Sequence, residues 1–161
     1  MCRESDSSEV IGISSCLRVI DATPRGTIMA RKDRRGPPPP PQLWEYTLPG
    51  DWIVLVGKND RDNDVLSLKM AGPNDWWFHV RGMPGSHTVL RGKSNEEPDR
   101  KTLERAAAVA AYHSKARKGG VVPVSATLAK YVSKPRGAKP GTVNIRKERV
   151  FKVRPALPDV E

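Results

Sequence analysis

From Leu43 onward the chain alternates apolar and polar residues with the two-residue period of a strand, changes to helical spacing of three and four, and then returns to alternation. LWEYTL (43–48) and DWIVLVG (51–57) read as strands joined by a Pro49-Gly50 turn, which predicts a hairpin with Trp44 and Trp52 in the core. In KNDRDNDVLSLKMA, Asp62 or Asn63 is placed to cap a short helix carrying Leu66, Leu68 and Met70, ended by Ala71-Gly72-Pro73. NDWWFHVRGMPGSHTVLR (74–91) predicts a strand over 75–79 with Asp75, Trp77 and His79 on one face and Trp76 and Phe78 on the other. Gly82, Pro84 and Gly85 then permit a tight reversal that returns Ser86 and His87 beside it. Asp99 caps a longer helix over 100–118, terminated by Gly119-Gly120, whose face of Leu103, Ala106, Ala107, Ala110, Ala111 and Ser114 is small enough to lie close on a sheet. VVPVSA reads as a strand in which Pro123 marks an edge or a bulge, and ATLAKYV has no firm assignment. Residues 142–146 and 149–154 alternate as a hairpin around Lys147-Glu148, with Val143, Ile145, Phe151 and Val153 inward and Asn144, Arg146, Lys152 and Arg154 outward. The class is α+β: a mixed, mainly antiparallel sheet with one longer Ala-rich helix packed on it and a short helix.

Residues 1–42 lack such patterning and end in ARKDRRGPPPPPQ. Five consecutive prolines impose an extended polyproline rod without amide donors, so 1–42 reads as a flexible segment with a Pro-rich spacer ahead of a domain over 43–161. A ligand for an SH3-type or WW-type groove is the other reading of that rod. At 161 residues the chain holds one ordinary core. Cys2 and Cys16 lie outside the patterned region and in no metal-ligand spacing, which argues against a disulfide framework or a zinc finger. With no bilayer-spanning apolar run and no secretory leader pattern, the expectation is a soluble cytoplasmic protein without a membrane partner. The serines and arginines of residues 1–35 leave a transit segment open, against Glu4, Asp6 and Glu9.

Charge sharpens the picture. The formal net charge is +10, and between Lys115 and Arg154 twelve Lys or Arg stand against the single acid Glu148. Such a concentration of cations points to a polyanionic partner. The loop KPRGAKPG (134–141) sets Lys134, Arg136 and Lys139 on a backbone bent by two prolines and two glycines, a composition suited to clamping adjacent phosphates; a solvated loop that maintains solubility is the plainer reading. Lys130, Arg146, Lys147, Arg149, Lys152 and Arg154 extend the basic region. Asp75, His79, Ser86 and His87 invite a metal or acyl-transfer reading, but the interval from His79 to His87 is no recognised ligand spacing and no GxSxG elbow is present. A polar network that fixes the turn, or that offers Trp77, His79 and His87 beside Arg81 and Ser86 to a base or ribose, fits better, and neither a catalytic residue nor a cofactor is expected. His113 reads as a surface or packing residue, and Gly57-Lys58-Asn59 lacks the P-loop pattern.

VGKNDRDND (56–64), DWWFHVRGMPGSH (75–87), AAAVAAYHS (106–114) and KPRGAKPGTV (134–143) occur in the order in which similar motifs occur in the NFACT-R domain of the NFACT family, which this chain resembles from about Leu43 to Arg154. The resemblance implies a non-enzymatic RNA-binding module for tRNA or rRNA, linked to translation and ribosome-associated quality control on the large ribosomal subunit. The chain lacks room for the other domains of full-length family members and therefore looks like a stand-alone NFACT-R protein, for which template-free chain extension is not expected. An enzyme acting on RNA through Asp75, His79 and His87, and an adaptor docking on a ribosomal protein, are the competing classes.

Overall fold

The computed structural model describes residues 37–158, of which those from Pro39 onward belong to one compact unit; the expectations for residues 1–36, including Cys2 and Cys16, lie outside the described residues. Pro37 to Gln42 enter neither helix nor strand, as prolines without amide donors require. Strands β1 (Leu43–Leu48) and β2 (Trp52–Gly57) form the expected hairpin, with Gly50 and Asp51 both at positive φ in the turn. Strand β3 (Trp76–Val80) is followed by β4 (Thr88–Leu90), helix α2 (Arg100–Tyr112), β5 (Val122–Leu128), the short strands β6 (Val132–Ser133) and β7 (Asn144–Ile145), and β8 (Arg149–Val153). The main sheet is antiparallel throughout, in the order β1-β2-β4-β3-β5-β8, while β6 and β7 pair separately.

Helix α1 (Asp60–Val65) continues as a π-helical turn, Leu66–Met70. Its cap is Asn59, whose side chain accepts from the Asp62 amide at 2.9 Å, so Asp62 and Asn63 sit inside the helix rather than ahead of it. Leu66 is buried and Met70 partly so, but Leu68 is exposed because the π turn rotates it away from the sheet.

The two sheet faces have different covers. One packs Val54, Val56, Phe78, Val80, Leu90, Val124 and Ala126 beneath α2, and Ala106, Ala107, Ala110 and Ala111 let that helix approach closely. Burial of each Val, Leu or Phe stabilises the fold by roughly 1.5–3 kcal/mol. The other face holds Leu55, Trp77 and Val89 under Leu66, with Val143 and Ile145 from the β6–β7 side.

Four further expectations are corrected. Trp44 is 37 % exposed and stacks on the His113 ring, with centroids 4.4 Å apart, whereas Trp52 is buried as expected. Helix α2 ends at Tyr112, because Ser114 donates its hydroxyl to the Ala111 carbonyl, accepts from the Ala116 amide and pairs its backbone with Gly85. Pro123 lies in an inner strand: its carbonyl accepts from the Arg81 amide just past β3, so the missing N–H takes nothing from the ladder with β8. The C-terminal hairpin does not form, since β7 pairs with β6 and β8 with β5, and Lys147 between them has φ +51. Inward and outward positions are nevertheless kept: Val143, Ile145 and Phe151 are partly buried, Val153 is buried, and Asn144, Arg146, Lys152 and Arg154 are exposed.

Candidate functional site

Three separated sequence motifs meet around His87. Gly57 is packed so closely on α1 that a Cβ there would lie 2.2 Å from Asn63 Oδ1, and only a glycine leaves that oxygen its place. The freed Asn63 Oδ1 accepts from the His87 amide at 3.0 Å, and the His87 carbonyl accepts from the Gly57 amide at 3.1 Å. Ser67, on the π turn, accepts from Trp77 Nε1 at 2.9 Å and lies 2.8 Å from His87 Nδ1. Ser67 and the His87 ring are both buried, so this hydrogen bond is shielded from water and sets the orientation of the ring. Burial first, and His79 beside it second, push the His87 pKa down to about 4, so the ring is neutral at physiological pH. Burial also lowers the pKa of His79, partly offset by hydrogen bonding to the Gly85 and Val80 backbones.

His79 stacks on Trp77 at 5.9 Å between centroids and meets His87 edge-on at 5.4 Å. Together with Arg81, Ser125, Gly141 and Thr142 these rings line a cleft of about 350 Å3. Trp77 and His87 are buried and form the floor of that cleft, so the half-buried His79 is the ring placed to meet a sugar or base edge. The Arg81 guanidinium lies 3.6 Å from Glu148 at the same cleft.

The loop 134–141 borders that cleft through Gly141 and is tied at both ends to one carboxylate. Asp64 accepts from the Gly141 amide at 3.0 Å with one oxygen and pairs with the Lys134 ammonium through the other. Between these ties the chain makes two successive turns. The Ala138 amide donates to Pro135 and the Thr142 amide to Lys139, with Gly137 (φ +74) and Gly141 (φ +79) at the third position of each, as a type II turn requires. Lys134 is thus spent on the scaffold, while Arg136 and Lys139 are exposed.

The other expected site residues divide. Asp75 sits at the far end of β3, accepting from the Gly72 and Gly92 amides at 2.8 and 2.7 Å, with Arg91 at 3.6 Å; it fastens a loop and does not join the histidines. Ser86 gives its amide to the His113 carbonyl at 3.0 Å, which anchors the turn to the end of α2. The four-residue polar cluster is therefore reduced to His79 and His87, and among the described residues no three His, Cys, Asp or Glu side chains converge as metal ligands. Lys152 lies on the histidine face by alternation from Ser125, with Arg154 just beyond β8, whereas Arg149 is on the opposite face, its guanidinium 5.4 Å from the centroid of Trp76. Lys130 and Lys147 lie over Tyr131 at 5.3 and 4.9 Å. Arg146 is exposed and held by its backbone to Tyr131 and Thr127. The single outward row of cations gives way to two groups, one on each face, because β8 does not pair with β7.

Sequence reasoning missed Asn63, Asp64 and Ser67, which build the site. The density of Asn and Asp over 59–64, unusual inside a helix, was the available signal.

A family model described as the NFACT protein RNA binding domain matches residues 43–147. The Rqc2 homolog RqcH of Bacillus subtilis is 42 % identical over 115 residues, 71 % of this chain and 20 % of that protein. The Rqc2 homolog RqcH of Streptococcus suis is 43 % identical over 106 residues, 66 % of this chain and 19 % of that protein. The chain thus spans about one fifth of the length of these relatives. The C-terminal part of the fibronectin/fibrinogen-binding protein from Streptococcus suis superimposes with a TM-score of 0.68 at 39 % identity, covering 76 % of this chain and 50 % of that one.

Proposed function

As this chain belongs to the family of NFACT protein RNA-binding domains, we propose that it binds structured RNA, tRNA or rRNA, through the loop 134–141 and the adjoining histidine cleft, without catalysing a reaction. The observation that carries the reading is the loop's construction: Asp64 fixes both ends, so Arg136 and Lys139 are held at set positions on a preformed backbone. Preorganisation matters because a phosphate contact made by a mobile side chain must first offset the entropy of ordering it. Lys152, Arg154 and Arg146 add charge beside it, and the half-buried His79, backed by the buried Trp77 and His87, offers a ring to ribose or base. With no third ligand beside the histidines among the described residues, contact is favoured over metal chemistry.

The likeness to RqcH extends the proposal to a role in ribosome-associated quality control at the large ribosomal subunit, in the cytoplasm. No described helix is long and apolar enough to cross a membrane. Crosslinking in cells followed by sequencing of the bound RNA tests the assignment. Enrichment of tRNA or rRNA is expected, with loss on Arg136→Ala/Lys139→Ala; recovery of no RNA, or of RNA indifferent to those substitutions, refutes it.

A further inference from the structure

We propose that the cleft on the α2 side of the sheet, at the junction of β3, β5 and β8, is a second RNA site that takes one unpaired nucleotide, with preference for a base bearing an exocyclic amine. This rests on the RNA-binding reading but uses different residues. The cleft encloses about 760 Å3, ample for a nucleotide, and two aromatic rings line it: Trp76, under the Arg149 guanidinium, and Tyr131, between Lys130 and Lys147. A base stacks on such rings whatever its identity, and the three cations take the flanking phosphates. Lys147 reaches this position through φ +51, a left-handed conformation that costs a non-glycine residue energy, and its ammonium donates to Tyr131 Oη at 3.4 Å. Backbone strain that sets a cation beside an aromatic ring is the kind of outlier from which a binding role is inferred.

The opposite wall is acidic. Glu96 is paired with Lys93 at 3.4 Å, which leaves the exposed Glu97 carboxylate as an acceptor in the same cleft. A strand entering with its phosphates toward Lys130, Lys147 and Arg149 turns its base edge toward Glu97, where an amine N–H is welcome and a carbonyl is repelled. Cytosine carries an amine where uracil carries a carbonyl, and its N3 accepts where that of uracil donates, so the pair forms the decisive comparison for a carboxylate aimed at the exocyclic group.

Fluorescence anisotropy with labelled hexacytidylate, hexauridylate and a blunt RNA duplex tests this with the full chain. Lys147→Asn keeps a residue that tolerates left-handed φ, and Arg149→Gln alters an exposed position on an edge strand, so both variants fold. Each is expected to weaken hexacytidylate about tenfold and leave the duplex within twofold. Glu97→Ala should remove the preference for hexacytidylate over hexauridylate. Arg136→Ala/Lys139→Ala should do the reverse of the first pair, weakening the duplex more than the hexamers; failure there alone would sink the first site and spare this one. Hexamer binding unaffected by Lys147→Asn and Arg149→Gln, hexamer and duplex weakened in parallel, or no hexamer binding at all would overturn the second site.

Discussion

Acidification should destabilise this fold through His87. The ring is buried and neutral, with a pKa of about 4, whereas in the unfolded chain it titrates at the ordinary value of 6.5. Below 6.5 the unfolded state therefore takes up a proton that the folded state refuses. The group costs nothing above pH 6.5, and its penalty grows at about 1.4 kcal/mol per pH unit as pH falls toward 4, reaching about 3 kcal/mol there before levelling off. His79 and His113, both lowered by burial, add to the loss with the same sign. That is a sizeable part of a domain's total stability of about 5–15 kcal/mol. Urea unfolding at a series of pH values reads the slope, and the imidazole carbon-bound proton resonances in NMR assign it to His87. A His87 resonance that titrates near 6.5, or a stability flat between pH 7 and 4.5, would refute the buried, neutral ring packed beside Ser67.

Gly57→Ala should cost roughly 2–3 kcal/mol in thermal or urea unfolding, since its Cβ would meet Asn63 Oδ1 at 2.2 Å and the Asn63 backbone at 2.9 Å, displacing the acceptor of the His87 amide. Asp64→Ala should abolish hydrogen-exchange protection at the Gly141 amide and weaken RNA binding about tenfold, by releasing a charged hydrogen bond worth ~1.5–3 kcal/mol that orders the loop. Asp64→Asn, which retains an oxygen for Gly141 but not the pairing with Lys134, should fall between the two. Asp99→Ala should lower the unfolding temperature and leave duplex binding at the loop 134–141 alone, because its carboxylate caps α2 through the Thr102 amide at 2.8 Å, on the opposite side of the sheet from that loop.

Much of the architecture was legible because local patterns and tertiary packing agree. The β1–β2 hairpin, the split of Trp77 and His79 from Trp76 and Phe78, the return of β4 beside β3 and the Asp99 cap all follow from period, turn residues and capping chemistry. Where they failed, a distant partner outbid the local signal. Alternation in 142–146 and 149–154 is real, but each segment serves a different sheet, and nothing in either strand encodes which neighbour it will have. Helix α2 stops early because Ser114 finds Gly85, a pairing invisible within the helix itself. For the site, His79, His87 and the basic loop stood out by residue type. The residues that join them, Asn63, Asp64 and Ser67, read as ordinary helix-forming or capping positions, since their roles exist only once three motifs meet.

The claim on which most depends is that a loop fixed by Asp64 presents Arg136 and Lys139 to RNA phosphates. The salt dependence of tRNA binding, measured for the natural chain and for Arg136→Ala/Lys139→Ala, tests it most directly. If the loop and its neighbours neutralise about five phosphates, log K falls against log salt with a slope near −4 to −5 on a duplex-like site, and the double variant flattens that slope by about 1.8. An unchanged slope in the double variant, or natural protein that ignores tRNA and rRNA at low ionic strength, would contradict it.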